Sequence, residues 1–307
     1  MNDGARRQVQ SLLDHAGITV NGKHPYDIQV HDERLYNRVL RHRELGFGEA
    51  YMDGWWSSDA IDEMIARILS ANLRTKLRPS PELVWAFLVA RFTNRQTVRR
   101  AKNNAAHHYN IGNDLYERML GKRMVYSCGY WANAKTLDKA QDAKLDLICR
   151  KLHLESGMSV LDIGCGWGGF AAFAAEKYGV TVIGITPAEQ QAKLARARTK
   201  NLPVTIMQKD YRHVTGKYDR IVSIGMLEHV GDKNYPAFFA HCGDMLTDDG
   251  FMLHHVIGSN YTTHGKDPWI EKYIFPGGHL PSLSELASVT EKRWIIEDVH
   301  NFGPDYD

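Results

Sequence analysis

The sequence predicts an α/β fold, a doubly wound and mostly parallel sheet, with a smaller α+β module in front of it. Three observations carry this reading. Beyond about residue 156, strand-like runs at 159–163, 180–185, 204–207, 218–224 and 250–257 alternate with helical patterns, the rhythm of parallel strands joined by helical crossovers. The first run leads into the glycine-rich turn Gly164-Cys165-Gly166-Trp167-Gly168-Gly169 and then into a helix rich in alanine and phenylalanine. Before residue 75 the pattern differs, mixing amphipathic helices with short alternating stretches.

Taken in order, residues 9–13 and 61–69 repeat apolar side chains at three- and four-residue intervals and read as helices. Residues 18–22 and 26–30 alternate like short strands around a turn. Arg78-Pro79-Ser80-Pro81-Glu82 is a breaker cluster, with Ser80 and Pro81 as cap and first turn of a helix running to about Ala101. The stretch from 74 to 102 carries Arg74, Lys76, Arg78, Arg91, Arg95, Arg99, Arg100 and Lys102 against the single acid Glu82, and includes Trp85 and Phe87. Two readings stay open for it: a solvated helix face beside a domain boundary, or a surface for anionic lipid or nucleic-acid phosphate. The organisation expected is a module over 1–90, a linker with lid helices over 91–125, and the sheet domain over 126–307.

Composition excludes several classes. With 43% hydrophobic and 24% charged residues the 307-residue chain is neither disordered nor fibrous. A formal charge of +2 names no polyanionic partner. Cys128, Cys149, Cys165 and Cys242 show no CxxC spacing, and the first residues lack a secretory h-region, which points to a reducing, cytoplasmic setting. The longest apolar run, 83–90, is far short of the roughly 18 residues that span a bilayer.

The glycine-rich turn alone fits a dinucleotide as well as S-adenosylmethionine (SAM). Asp162, two residues before Gly164, shifts the balance to SAM, because it places a carboxylate near the cationic amino-acid end of that molecule. After the second strand, where a dinucleotide enzyme carries an acid for the ribose, the chain reads Thr186-Pro187-Ala188-Glu189-Gln190-Gln191. Asp210 and Tyr211 follow the third strand, in reach of an adenine. Met226-Leu227-Glu228-His229-Val230-Gly231 follows the fourth, at the edge facing the methyl donor.

These segments, with Ala106-His107-His108-Tyr109-Asn110-Ile111-Gly112-Asn113-Asp114, Tyr126-Ser127-Cys128-Gly129-Tyr130-Trp131 and Tyr273-Ile274-Phe275-Pro276-Gly277-Gly278-His279, resemble the cyclopropane-fatty-acyl-phospholipid synthases along the whole chain. The resemblance implies a Rossmann-like SAM-dependent methyltransferase that moves a methylene group from SAM to a cis double bond of a phospholipid acyl chain. It implies a bicarbonate base held by Cys128, Glu228, His255, the backbone of Ile257 and Tyr306, and no metal. It implies a SAM site made of Tyr126, Ser127, Asp162, Gly164, Cys165, Gly166, Gly168, Thr186, Gln190, Gln191, Asp210 and Tyr211. His107, His108, Asn110, Asn113 and Asp114 form a lid or a structural cap before the core fold, because polar residues at this density in a loop-like segment seldom pack a core, and Tyr130, Trp131, Trp269, Tyr273 and Phe275 are pocket or core aromatics. The family further implies a lipid-engaging N-terminal module, docking on the phospholipid bilayer from the cytoplasmic side, and homodimers, with no nucleic acid and no protein partner.

Such folds carry seven strands. Residues 294–300 fit the sixth, and the seventh is absent, so the expectation is a C-terminally truncated domain with Tyr306 at a fraying end. Competing readings are a SAM methyltransferase giving a methyl-branched or methylene product or acting on a small acceptor, and a non-catalytic membrane-surface protein on the same fold. A nucleic-acid methyltransferase lacks support, because no base-stacking motif accompanies the basic stretch.

Overall fold

The computed structural model describes residues 3–73, 113–263 and 267–306. The basic stretch 74–102 and His107, His108 and Asn110 lie outside the described residues. The chain divides into two compact units, Met1–Thr93 with His264–Pro276, and Asn94–Thr263 with Gly277–Asp307.

In the first unit, helices α1 (Asp3–Asp14), α2 (Arg34–Met52) and α3 (Ile61–Ser70) enclose a core of Val9, Leu13, Ile28, Leu35, Trp56 and Met64. Val9 and Leu13, four residues apart, are the buried edge of α1, as the helical spacing requires. The expected pair of strands at 18–22 and 26–30 does not form as such. The buried carboxylate of Asp27 takes the backbone N–H groups of Thr19 and His24 at 2.7 and 2.8 Å, and Gln10 takes that of Val20. With those donors committed to side chains, no ladder grows beyond a single bridge between Val20 and Ile28. Strand β1 (Gln29–Val30) pairs instead with β2 (Trp56–Ser57), antiparallel.

Residues 267–276, placed by sequence order in the sheet domain, pack against α2. The ring of Trp269 lies over Gly48, where a Cβ would stand 2.5 Å from its Cδ1, so that only glycine admits the indole. Glu49 gathers the segment: its Oε1 accepts from Lys272 Nζ at 2.7 Å and from the Tyr273 hydroxyl at 3.0 Å, while Oε2 accepts from Arg38 at 2.9 Å. Trp269 and Tyr273 thus make these contacts within the first unit.

The second unit is built on a parallel sheet in the order β5 (Val204–Gln208), β4 (Thr181–Thr186), β3 (Ser159–Ile163), β6 (Tyr218–Ile224), β7 (Leu246–His255). Side chains alternate across it. Val160 faces the apolar cluster formed with α5 (Leu137–Lys151) and α6 (Gly169–Tyr178), and Leu161 faces that formed with α8 (Tyr235–Met245). Both faces are covered, which explains why these strands read as apolar runs. α7 (Glu189–Thr199) crosses from β4 to β5, and α9 (Leu283–Thr290) starts on a capping box of Ser282 and Glu285. The chain order runs outward from β3 in one direction and from β6 in the other, so the carboxyl ends of β3 and β6 form a switch point, where ligands bind in such sheets.

The sixth strand expected at 294–300 is not formed, and among the described residues the sheet has five strands. Ile295, Ile296 and Val299 are 84%, 51% and 60% exposed. The segment is attached through other contacts: Trp294 packs on Phe239 and Gly243, Arg293 donates to the Ala240 carbonyl, and Lys151 pairs with Asp298. The segment is thus anchored by its side chains to helices and makes no ladder with β7, the strand at that end of the sheet.

The Glu49 cluster generates a pH dependence. Lys272 above all, with Arg38 and Tyr273, holds the Glu49 carboxyl down at about 2 from its ordinary 4.5. A carboxyl depressed by folding adds stability that is complete above its unfolded value and lost as the pH falls through its folded one. The first unit of the wild-type protein is therefore expected to lose stability between about pH 4.5 and 2, and Glu49→Gln to be less stable at neutral pH but flatter across that window. Thermal melts against pH check this, and parallel curves would refute the assignment.

Candidate active site

The carboxyl ends of β3, β4, β5 and β6 open into one cleft. Tyr126, Ser127, Asp162, Gly164, Cys165, Gly166, Thr186, Gln191, Asp210 and Tyr211 line it, together with Met226 and His229 from the segment expected at the edge facing the methyl donor, with Lys209, and with Arg212, which sequence reasoning did not include. Gly164 turns the chain at φ +87°, and a Cβ there would meet Met226 at 2.7 Å. Its N–H and that of Cys165 both donate to the Ile185 carbonyl at 2.9 Å, which folds the loop across the end of β4.

Gly168 and Gln190 do not line the cleft. Gly168 precedes α6 at φ +79°, and a Cβ there would stand 3.3 Å from Ala195, so its smallness serves the approach of α6 to α7. Gln190 is exposed on the first turn of α7. The Thr186 hydroxyl donates to Gln191 Oε1 at 2.8 Å, and Asp210 caps the turn that follows it by accepting from Arg212 N. Asp162 differs from these. It is 2% exposed, its Oδ2 has no partner among the described residues, and burial lifts its pKa to about 7. A carboxylate left in that condition is matched to a cationic ligand group.

A second polar cluster adjoins the cleft along 126–128. The Cys128 thiol donates to the carbonyls of Gly129 and Asp305 at 3.1 Å, and burial pushes its pKa up, so it remains a thiol. Glu228, after β6, accepts on Oε1 from the Ile257 amide at 2.9 Å. Its Oε2 has no partner among the described residues, and burial raises its pKa. The Ile257 amide, expected on the anion, is therefore spent on orienting Glu228. His255 closes β7 with Nδ1 unpartnered among the described residues and its ring stacked on Phe302 at 5.0 Å. Burial, helped by the Lys144 cation, lowers its pKa to about 3, so its imidazole is neutral. Tyr306 sits in a turn, Gly303–Tyr306, tied to 128–131 through Asp305, whose carboxylate also takes the Trp131 N–H at 3.1 Å. It lies in electrostatic reach of Cys128, Glu228 and Tyr126.

Asn113 accepts from Trp167 Nε1 at 3.0 Å, fastening the start of α4 (Asn113–Met119) to the glycine-rich turn. Lys144 was missed by sequence reasoning. It is fully buried on α5 and donates to Ser127 Oγ at 2.7 Å. The buried stripe of that helix, Ala140, Gln141, Lys144, Leu145, Ile148 and Cys149, is readable as helical spacing, and a lysine within it was the available signal.

The Asp162 environment predicts a pH profile. An ammonium is best held by the ionised carboxylate, so SAM affinity is expected to fall toward about tenfold per pH unit below 7. Asp162→Asn, which keeps the shape and removes the charge, should bind SAM about tenfold or more weakly at pH 8 and with a flat profile. Calorimetric titration at several pH values measures both. An unchanged affinity in the variant would remove Asp162 from the ligand site.

A family profile described as mycolic acid cyclopropane synthetase matches residues 96–307. Over 306 residues the chain is 47% identical to the cyclopropane-fatty-acyl-phospholipid synthase of Escherichia coli (strain K12), covering 100% of this chain and 80% of that one. It is 32% identical to the tuberculostearic acid methyltransferase UfaA1 of Mycobacterium tuberculosis, covering 89% of this chain and 68% of the other. Among solved structures, mycolic acid cyclopropane synthase CmaA1 complexed with SAH and CTAB shares 34% identity at a TM-score of 0.57, covering 62% of this chain and 73% of that one. The fold with its glycine-rich turn, and an identity that extends over both units, establish that the chain belongs to the cyclopropane synthase family of SAM-dependent methyltransferases.

Proposed function

We propose that this chain forms cyclopropane rings in unsaturated phospholipid acyl chains, taking a methylene group from SAM, with bicarbonate as the base. One observation carries the reading. Beside a cleft walled like a SAM site stands a cluster in which Glu228 Oε2 and His255 Nδ1 are buried and without partners among the described residues. Buried polar atoms in that state call for a ligand.

An alkene is a weak nucleophile with no proton to give up first, so the sulfonium of SAM has to drive the reaction. As the S–CH3 bond breaks and a C–C bond forms, the positive charge passes from sulfur to the second alkene carbon. Loss of a proton from the new methyl leaves the electron pair that closes the ring. When bound, bicarbonate supplies the acceptor for that proton. The chain's own groups suit such an ion. Neutral His255 offers one donor and one acceptor, Glu228 presents Oε2 because Ile257 fixes Oε1, and the phenol of Tyr306 is a further donor. The thiol of Cys128 joins the set by turning its one hydrogen from the Gly129 and Asp305 carbonyls to the ion, as a hydrogen-bonding group and not as a nucleophile.

The same reading has the enzyme docking, as a homodimer, on a bilayer from the cytoplasmic side. Among the described residues no helix is long and apolar enough to cross a membrane, so the acyl chain has to reach the site from a surface. The basic, aromatic-bearing sequence at 74–102 suits anionic headgroups.

The test is incubation with methyl-labelled SAM and vesicles of a monounsaturated phospholipid, followed by mass analysis of the acyl methyl esters. Ring-bearing esters with one added CH2 are expected. A methyl-branched ester would replace cyclopropanation with the competing product, and an unlabelled lipid fraction would refute the lipid reading. Glu228→Gln is expected to lower kcat by about a hundredfold or more while changing SAM affinity little. Activity near wild type would remove Glu228 from the chemistry.

A further inference from the structure

Lys144 is the charged group that the proposed chemistry leaves unused. It projects from α5 into the interior with its side chain fully buried. Among the described residues its ammonium has one hydrogen bond, to Ser127 Oγ at 2.7 Å, and no carboxylate pairs with it. An ammonium carries three donors, and an unpaired charge in the interior is strongly disfavoured. Lys272, by contrast, has Glu49 at 2.7 Å, and Lys151 has Asp298. The titratable groups in electrostatic reach of Lys144 are Cys128, on the segment that follows Tyr126, and His255, at the end of β7. Beyond them, Tyr306, Glu228 and Asp305 couple to the same locus through Tyr306 and Cys128. Gln141, one turn before Lys144, donates to the Ser127 carbonyl at 2.8 Å, so α5 grips the residue that borders both the SAM cleft and the anion cluster.

We propose that Lys144 is a positioning residue that supplies, through Ser127 and across Cys128 and His255, the positive charge against which the oxyanion of the base is held. The inference rests on the bicarbonate reading given above and deepens it. It explains why a lysine stands in an apolar helix stripe with no carboxylate beside it: its counter-charge arrives with the ligand. It also favours a singly charged oxyanion, since neutral Cys128 and neutral His255 contribute dipoles but no net charge. Binding of the anion and protonation of Lys144 are then linked. Burial lowers the Lys144 pKa to about 7, so the charge that attracts the anion is lost progressively above that pH.

The experiment is binding of 13C-bicarbonate, followed by NMR line broadening and expressed per bicarbonate ion present, between pH 6.5 and 9. For the wild-type protein the affinity is expected to fall toward about tenfold per pH unit on the alkaline side of 7. Lys144→Met, similar in length and uncharged, should bind about ten- to a hundredfold more weakly and with a flat profile. Lys144→Arg should keep the charge, restore part of the affinity and move the fall beyond the measured range. Circular dichroism confirms that each variant is folded. If Lys144→Met does not fold, the wild-type profile decides alone, and a flat one overturns the proposal. Equal affinity in wild type and a folded Lys144→Met overturns it too. Absence of bicarbonate binding to the wild-type protein at any pH overturns the bicarbonate reading itself, a result distinct from binding that ignores Lys144.

Discussion

A sheet covered on both faces has nowhere to put polar chemistry except the ends of its strands, and that constraint organises the second unit. Val160, Leu161, Val182, Ile221 and Val222 are completely buried, so the strands are committed to packing along most of their length. The reversal of strand order between β3 and β6 then leaves a gap into which loops from several strand ends converge. The glycine-rich turn, the Thr186 and Asp210 turns and the Glu228 loop all meet there because the apolar sheet leaves them no other place.

The electrostatics of the site follow from the same burial. Desolvation moves four groups there toward their neutral forms: Asp162 to about 7 and Glu228 upward, His255 to about 3 and Lys144 to about 7. Groups prepared in this way are responsive. Asp162 and Lys144, both at about 7, lie near a balance that a ligand of the opposite charge can tip, and a solvated surface pair would not show that sensitivity. The sulfonium and amino group of SAM address one side of this balance, and a small anion addresses the other.

Much of this was legible in the sequence, and most of the parts that were not share a cause. The five strands were readable because parallel strands are continuous apolar runs, and the cleft residues because a turn of glycines after a strand has few other uses. What failed was anything decided by a partner distant in sequence. Residues 294–300 fit the place of a sixth strand but are anchored by Trp294 and Asp298 to helices. Residues 18–22 look like half of a hairpin, yet the donors of Thr19 and Val20 go to the side chains of Asp27 and Gln10. Gly168 carries the signature of ligand approach and is used for helix packing. The backbone of Ile257 was expected beside the anion, and its amide is engaged by a carboxylate 29 residues earlier in the chain. Lys144 was overlooked for a different reason: in a helix with alternating charges one more lysine is inconspicuous until the stripe it occupies is marked out.

The path of the chain also has a temporal meaning. Gly48 and Glu49 are made early, yet the side chains that complete them, Trp269, Lys272 and Tyr273, come from residues more than two hundred positions later. On a ribosome that extends the chain from its N-terminus, the first unit cannot acquire its full set of contacts until almost all of the sheet-bearing unit has been synthesised. The parallel sheet, itself a slow topology to assemble, therefore has all of its strands synthesised before the first unit has its last contacts. In this protein the domain that begins first is the one that must wait.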